Sequence, residues 1–532
     1  MSQQIREMEL TRPTSLRMTI ESARFRQSLF FLLGAVLFAT AYGQWPLYSE
    51  NQHTKFLHGL AAAGYGQLRH DWLANTIDPL PAFSALVAAT YALLPTATFY
   101  LYHGLLLGLL LFSLISIANR VLALNRTKIG PFLFAVLLIA LFAGRMPPFS
   151  WPVLGTSWSW LLQAGVANQY LINPVFQPSS FGVLLITSIA LFLADRPYAA
   201  AAAAALAAVM HSTYLPTAGV LTLAYMVILL RQTRDWRRAL ITGLIALGMV
   251  LPIILYSVLR LGPTAPELWQ EAQAIIVHYR IPHHSLPEIW LDRTVYVKIA
   301  LFAVALWIVR RTRLAPIMAL AGAVAILLTI WQMIRPNDTL AFVAPWRISA
   351  TLVPLSSALV LAWATAALCK LGAAIAPRLH RLPYLHYLLW GMVLIIALVE
   401  AAQGVQSMSD AWAARRTDSR RGLYEFVETA LAPTDQYLIP TGMAEFRLET
   451  GAPALVTFKS HPYRDVEVIE WRSRMDAADG FYNNPTCEGL LAVSEAYALT
   501  HVVLEPQQLP DGCPALQFVY IDNAYRVAAI VP

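Results

Sequence analysis

The sequence predicts a polytopic α-helical membrane protein, about eleven spans entered from a cytoplasmic N-terminus, with a C-terminal α/β domain outside the cytoplasm. Three observations predict it. Hydrophobic residues make up 57% of the 532 positions and charged residues 13%, against about 25% charged in a soluble domain. Long apolar stretches alternate with short loops, and the loops form two chemical sets: one carries Arg and Lys and little else, the other nearly every histidine, the Trp-, Pro- and Asn-rich sequence and several acids. Near Gln406 the composition turns into that of a soluble domain. The net charge of +7 sits just outside apolar stretches, where membrane topology accounts for it, so it gives no reason to expect nucleic acid.

Arg6, Arg12, Arg17, Arg24 and Arg26 precede the first apolar run, Ser28 to Tyr42, which holds residues 1–27 in the cytoplasm. No small-residue cleavage site follows, so the run reads as an anchor. The next span starts near Thr98 and ends before Arg120, Arg126 and Lys128. Residues 44–97 therefore form a large first outer loop. Phe83–Leu94 inside it is cut short by Pro95; counted as a crossing it would invert everything downstream, so it reads as interfacial or re-entrant. Further spans fall near 131–144, 180–194, 198–211, 216–230, 239–261, 296–309, 314–333, 348–369 and 386–403. Arg196, Arg231, Arg234, Arg237, Arg238, Arg310, Arg311, Arg313, Lys370, Arg378 and Arg381 then lie on the cytoplasmic side, as the positive-inside rule requires. The transmembrane domain is 28–404.

An odd span count puts residues 405–532 outside. This part reads as helix Leu423–Leu431, strand Tyr437–Ile439, helix Met443–Thr450, strand Leu455–Phe458, a helix through Val466–Met475, and strands near Val502–Leu504, Phe518–Ile521 and Arg526–Ile530. Cys487 and Cys513 fall here, where an oxidising exterior permits a disulfide, with two buried thiols as the alternative. The site is a bacterial inner membrane by its compact loops.

The outer loops carry the candidate chemistry. His53, His58, His70, His103, His211, His278, His283, His284, His461 and His501 lie on or near that face; His380 and His386 do not. Trp151, Trp158, Trp160, Trp269, Trp290 and Trp346 suit an interfacial aromatic belt. In the first loop, Phe56, Leu57, Leu60 and Leu68 have the spacing of an amphipathic helix on the membrane surface. It would hold Glu50 and Asn51 at one end and Asp71 and Asp78 at the other, at headgroup depth. One of those acids could serve as a general base; each is otherwise a solvated loop acid. Loop 145–179, with Arg145, Asn168 and Gln169, is polar and almost free of acid, suited to a neutral sugar or to packing on the C-terminal domain. His278, Tyr279, His283 and His284 could hold phosphate or a divalent metal, although no HExxH-like spacing supports the metal. Asp338 and Arg347 stand in the last outer loop, and Arg matches phosphate through its planar fork; snorkelling beside Trp346 is the plainer reading.

On this architecture the chain resembles the GT-C superfamily of membrane glycosyltransferases. Asn51-Gln52-His53 to Asp71-Trp72, with Phe458-Lys459-Ser460, Pro462-Tyr463-Arg464-Asp465 and Glu470-Trp471, also looks like a family of uncharacterised bacterial multi-spanning proteins. The GT-C resemblance implies transfer of a sugar from a polyprenyl-phosphate donor. Its first-loop acid falls on Glu50 or Asp71, with Asp78 a third option, and its phosphate-contacting Arg on Arg347, joined by His53, His70 or Arg145. The chain departs from the pattern in lacking an adjacent acid pair or Asp-x-Asp in that loop. The expected partners are membrane lipid and a lipid-linked sugar. Other classes are a transporter or flippase of a lipid-linked saccharide, for which the spans hold little charge and no evident inverted repeat, and a non-catalytic envelope assembly protein docking through its C-terminal domain.

Overall fold

The structure is a computed structural model and describes residues 14–375, 385–508 and 513–531. Arg6, Arg12, Arg378, His380 and Arg381 lie outside the described residues. Each of the eleven expected apolar runs is a helix: Thr14–Tyr42, Thr98–Leu122, Gly130–Ala143, Val183–Leu193, Pro197–Met210, Leu215–Thr233, Trp236–Leu261, Arg293–Val309, Leu314–Ile334, Ser349–Ile375 and Leu385–Arg416. Among the described residues, six helical stretches are long and apolar enough to cross a membrane. Gly130–Ala143 and Pro197–Met210, at 14 residues each, rise only about 21 Å, short of a roughly 30 Å hydrocarbon layer. Longer neighbours enclose both in the main apolar core.

The two loop sets each gather with their own kind. Asp195 pairs with Arg238 at 3.3 Å and with Arg313 at 3.6 Å, drawing three basic loops together. The other set meets around the C-terminal domain: Lys55 bonds to Tyr463, Arg280 to the Lys459 carbonyl, and the Phe342 ring lies against Tyr463.

The first loop folds into short helices, Gln52–Lys55 and Leu57–Ala62, and the 13-residue helix Pro81–Leu93. The expected apolar stripe forms, but it faces protein rather than lipid. Phe56, Leu57, Leu60 and Leu68 are fully buried with Phe83, Phe99, Phe176 and Leu448. Trp346 and Trp290 likewise leave the expected belt, packing together with ring centroids 5.3 Å apart in a buried cluster.

Helix Leu385–Arg416 continues unbroken past the expected boundary at 404 and delivers the chain to the C-terminal domain. There a four-stranded sheet runs β3-β4-β6-β5, with β3 (Tyr437–Leu438) parallel to β4 (His501–Leu504), and β6 (Arg526–Ile530) antiparallel to both β4 and β5 (Leu516–Ile521). The numbering counts the small hairpin β1 (Pro152–Val153) and β2 (Thr156–Ser157). Helix Asp465–Asn483 packs Trp471, Met475, Ala478 and Phe481 onto the sheet. Leu455–Phe458 is not the expected strand; beyond one bridge at Ala454 it is irregular chain, because its carbonyls at Ala454 and Thr457 take side-chain donors instead. Helix Cys487–Tyr497 was not anticipated. Cys487 and Cys513 form a disulfide with Cα atoms 5.7 Å apart.

One buried ion pair ties the two parts together. Arg447 Nε donates to Asp71 Oδ2 at 2.6 Å, and both residues are essentially inaccessible to solvent. The backbone N–H groups of Ala454 and Ala74 also donate to the Asp71 carboxylate, while Arg447 donates further to the Ala454 carbonyl and Thr457 hydroxyl. Asp465 adds a second clasp by accepting from Thr264 N–H and hydroxyl, and Glu467 a third by accepting from Ile77 N–H.

Removing one member of a buried pair strands the other charge at a cost of about 3–5 kcal/mol. Arg447→Ala should therefore unfold well below wild type in detergent and expose the C-terminal domain to protease, while the double variant Asp71→Leu/Arg447→Met loses less than either single change. Wild-type stability in Arg447→Ala would show that the pair does not hold the domains together.

Candidate functional site

Glu50 is placed by the end of the first helix. Thr14–Tyr42 stops at Gly43, in the left-handed region at φ +71°, and Arg145 closes the helix by donating from Nε to the Ala41 carbonyl at 2.9 Å and from Nη2 to that of Tyr42. The chain is then pinned at each step. Trp45 N–H bonds to the Pro174 carbonyl, Leu47 N–H to the Tyr100 hydroxyl, and Tyr48 N–H to Gln52 Oε1. Tyr48 and Glu50 both adopt positive φ, 66° and 54°, a conformation uncommon outside glycine. Strain of this kind persists where surrounding bonds over-determine it. His53 Nε2 lies 2.8 Å from the Tyr48 carbonyl, and burial, helped by Lys459, lowers its pKa to about 4. Asn51 donates to the Tyr170 hydroxyl. Glu50 itself is exposed; its carboxylate is 3.7 Å from Lys459 and lines a cavity of about 400 Å³.

On the Lys459 side lies a group of cations. Lys55 Nζ donates to the Tyr463 hydroxyl at 3.1 Å. Arg280 donates to the Lys459 carbonyl at 2.6 Å and stacks on Phe458 at 4.9 Å. Arg347 sits on the turn Pro345–Ile348, whose Trp346 indole is fixed to the His284 carbonyl. Burial alone would push the Tyr463 phenol up, but Lys55, Arg280 and Arg347 together outweigh it and hold the phenol below its ordinary value. Among the described residues, none of these three cations is ion-paired with a carboxylate. The buried Nε of Arg280 and of Arg347 has no acceptor, and Nδ1 of His211 and of His461 has no partner.

Most of the other expected residues are used elsewhere. Asp71 is closed inside the Arg447 network and Arg145 is committed to the helix end. Asp78 accepts from Leu80 N–H, and its carbonyl from Tyr256, yet with His58 it lines a cavity of about 10 Å³ shared with Lys55, His461 and Tyr463. His58 faces Thr76 at 3.5 Å, and His70 is exposed beside Arg69. Asn168 accepts from the Trp160 indole and Gln169 bonds within its own turn. Loop 145–179 spends its amides internally, with Asn173 and Gln177 converging on the Tyr170 hydroxyl. His278 pairs with Asp338 at 3.0 Å, and Tyr279 packs on Phe458 and Trp471. Among the described residues, no three His, Cys, Asp or Glu side chains group as metal ligands would. Lys55, Arg280, Lys459 and Tyr463 carry no role in the sequence reading, and His461 figures there only as one of the outer-face histidines. Lys459 and Tyr463 belong to the segment that carried the closer family resemblance, the one signal that pointed toward them.

A family model described as a domain of unknown function (DUF6798) matches residues 419–478. No curated protein matches the chain. Among solved structures the chain is similar to ArnT from Cupriavidus metallidurans, whose crystal structure has undecaprenyl phosphate bound. The two are 16% identical, with 95% of this chain and 98% of that one covered and a TM-score of 0.48.

The buried imidazoles give the junction a pH dependence. Burial lowers His53 to about 4; burial, with His283 and Arg347, lowers His284 to about 3; and His461 lies well below its ordinary value. Below pH 6.5 the unfolded imidazoles take up protons that the folded ones refuse until about pH 4 for His53 and about pH 3 for His284, so this contribution is complete above 6.5 and is lost as pH falls toward 3. Thermal unfolding followed across that window should show falling stability, with a shallower slope in His284→Gln. A flat profile would mean these rings are not held neutral.

Proposed function

We propose that the protein is a GT-C-like glycosyltransferase that moves a sugar from a polyprenyl-phosphate donor to an acceptor hydroxyl. The observation that carries this reading is the group Lys55, Arg280 and Arg347 around Tyr463, one buried and two half-buried cations that have no carboxylate partner among the described residues and lie within one residue's reach of an accessible carboxylate, Glu50. Buried cations demand a counter-charge, and two guanidiniums with a lysine match a phosphate. Lys459 links the two halves, contacting Glu50 through its ammonium and Arg280 through its carbonyl.

In this reaction Glu50 takes the proton of the acceptor hydroxyl as its oxygen bonds to the anomeric carbon. The bond from that carbon to the phosphate oxygen breaks, and the lipid phosphate departs as an anion held by the three cations. Attack from the face opposite the leaving group inverts the anomeric centre. Asp71, with no exposed surface and both oxygens engaged, is assigned to docking, and Asp78, tied to Leu80 N–H in a cavity of only about 10 Å³, has no room for an acceptor, which leaves Glu50 as the base. The reaction would take place at the outer face of a bacterial inner membrane, with the C-terminal domain outside and available to envelope assembly partners.

A transport reading draws on Glu400, a fully buried carboxylate inside helix Leu385–Arg416 with no hydrogen-bond partner among the described residues, since intramembrane acids often mark transport paths. Translocation of a lipid-linked sugar in proteoliposomes, abolished by Glu400→Gln, would establish that reading.

The test of the transferase is sugar transfer from a panel of radiolabelled polyprenyl-phosphate sugars by purified protein. Glu50→Gln should slow transfer about 10²–10⁴-fold while still binding polyprenyl phosphate. Arg347→Ala should slow it about 10²–10³-fold and weaken that binding. If wild type turns over no donor, and Arg347→Ala binds the lipid phosphate unchanged, the transferase reading fails.

A further inference from the structure

Glu50 faces two unlike environments. Lys459, 3.7 Å away, connects it to the uncompensated cations; Glu50 also lines the cavity of about 400 Å³, whose wall includes none of those cations and is formed by Trp45, Tyr48 and His53 from the first loop and by Arg415, Arg421 and Glu449 from the far end of helix Leu385–Arg416 and the C-terminal domain. This volume falls in the usual range for a small-molecule site, about 300–1,000 Å³.

The charges of the cavity are paired off. Arg415 meets Glu449 at 2.6 Å and Arg421 meets it at 3.5 Å. Arg420, just behind the wall, pairs with Asp418 at 2.7 Å and with Glu445. Arg421 also meets Glu425 at 2.7 Å, so three guanidiniums face four carboxylates, with Glu50 a fifth on the wall, and this grid of fixed donors and acceptors carries no excess of positive charge. Such a surface does not select an anion. Beside it stand the half-buried rings of Trp45 and Tyr48, flat apolar faces of the kind that receive the C–H face of a pyranose. The helix wall, Ala411 and Ala414, lies beyond the apolar run that ends near residue 403, so the cavity belongs to the polar end of the molecule rather than to the lipid-facing part.

We propose that this cavity binds the acceptor, and that the acceptor is a neutral saccharide whose hydroxyl is presented to Glu50 from the side opposite the phosphate. The assignment rests on the transferase reading and specifies its second substrate. The acceptor hydroxyl, with Glu50 beside it, then meets the anomeric carbon on the face opposite the phosphate, which is the geometry an in-line displacement needs. Trp45 and Arg421 are binding residues here, and their removal acts on the acceptor and not on the lipid phosphate.

The experiment uses full-length protein in nanodiscs on an array of neutral and anionic oligosaccharides, followed by titration with the neutral glycan best retained. Wild type and Arg347→Ala should retain neutral glycans, whereas Trp45→Ala and Arg421→Gln should each weaken retention roughly tenfold, about 1.4 kcal/mol, with polyprenyl-phosphate affinity unchanged as the check on folding. No glycan retained by wild type, or retention that depends on Arg347 and ignores Trp45 and Arg421, overturns the assignment. The two readings fail separately. Saccharide binding through Trp45 and Arg421 without any sugar transfer keeps the pocket and removes the reaction. Sugar transfer whose acceptor KM is the same in both variants keeps the reaction and removes the pocket.

Discussion

A carboxylate and a guanidinium that never see water, Asp71 and Arg447, join the first loop to a domain nearly four hundred residues later in the chain. The pair is satisfied on every side by backbone and hydroxyl partners, which is the condition under which buried charge is tolerated. Everything at the junction depends on it. Lys55, Arg280 and Arg347 come from the helical part, whereas Lys459, His461 and Tyr463 come from irregular chain that starts at Ala454, the residue whose N–H is held by Asp71. Moving that anchor would shift the second group away from the first and dissolve the candidate site.

The junction also explains why so much strain and burial is concentrated in a short stretch. Residues 43–53 pass from a helix end through two left-handed non-glycine residues, held by Arg145, Tyr100, Gln52 and His53. The outcome is an exposed carboxylate between two electrostatically different surroundings, unpaired cations on one side and neutralised ion pairs on the other. A single acid in that position can take a proton on one side while negative charge leaves on the other, without a second acid.

The helical part was legible in the sequence because the apolar runs are long and flanked by Arg and Lys; each of them is a helix. The soluble character of the tail, its helix from Arg421, and strands β3, β4, β5 and β6 were legible for the same reason of periodicity. Leu455–Phe458 misled because its apolar alternation comes from packing beneath Trp471, not from a ladder. Cys487–Tyr497 was missed since small residues and a turn-like approach hid its helical spacing. The first-loop stripe was seen, but periodicity reports only that a face is apolar; whether lipid or protein covers it is a matter of what the rest of the chain brings.

For the candidate site the division is sharper. Residue types and topology alone singled out Glu50, Asp71 and Arg347, because an acid in the first loop and an arginine beside the last one are local facts. They could not separate Glu50 from Asp71, since accessibility depends on whether Arg447 arrives. Nor could they show that Lys55, Arg280 and Tyr463 share one field, because Coulomb interactions follow distance in space and these residues are separated by hundreds of positions in the chain. The sequence by itself determined the apolar helices, their basic flanks and the change to a soluble domain, all set by hydropathy over neighbouring residues. Tertiary structure decided which acid is sealed and which is free, because burial and charge compensation exist only once distant segments are packed together.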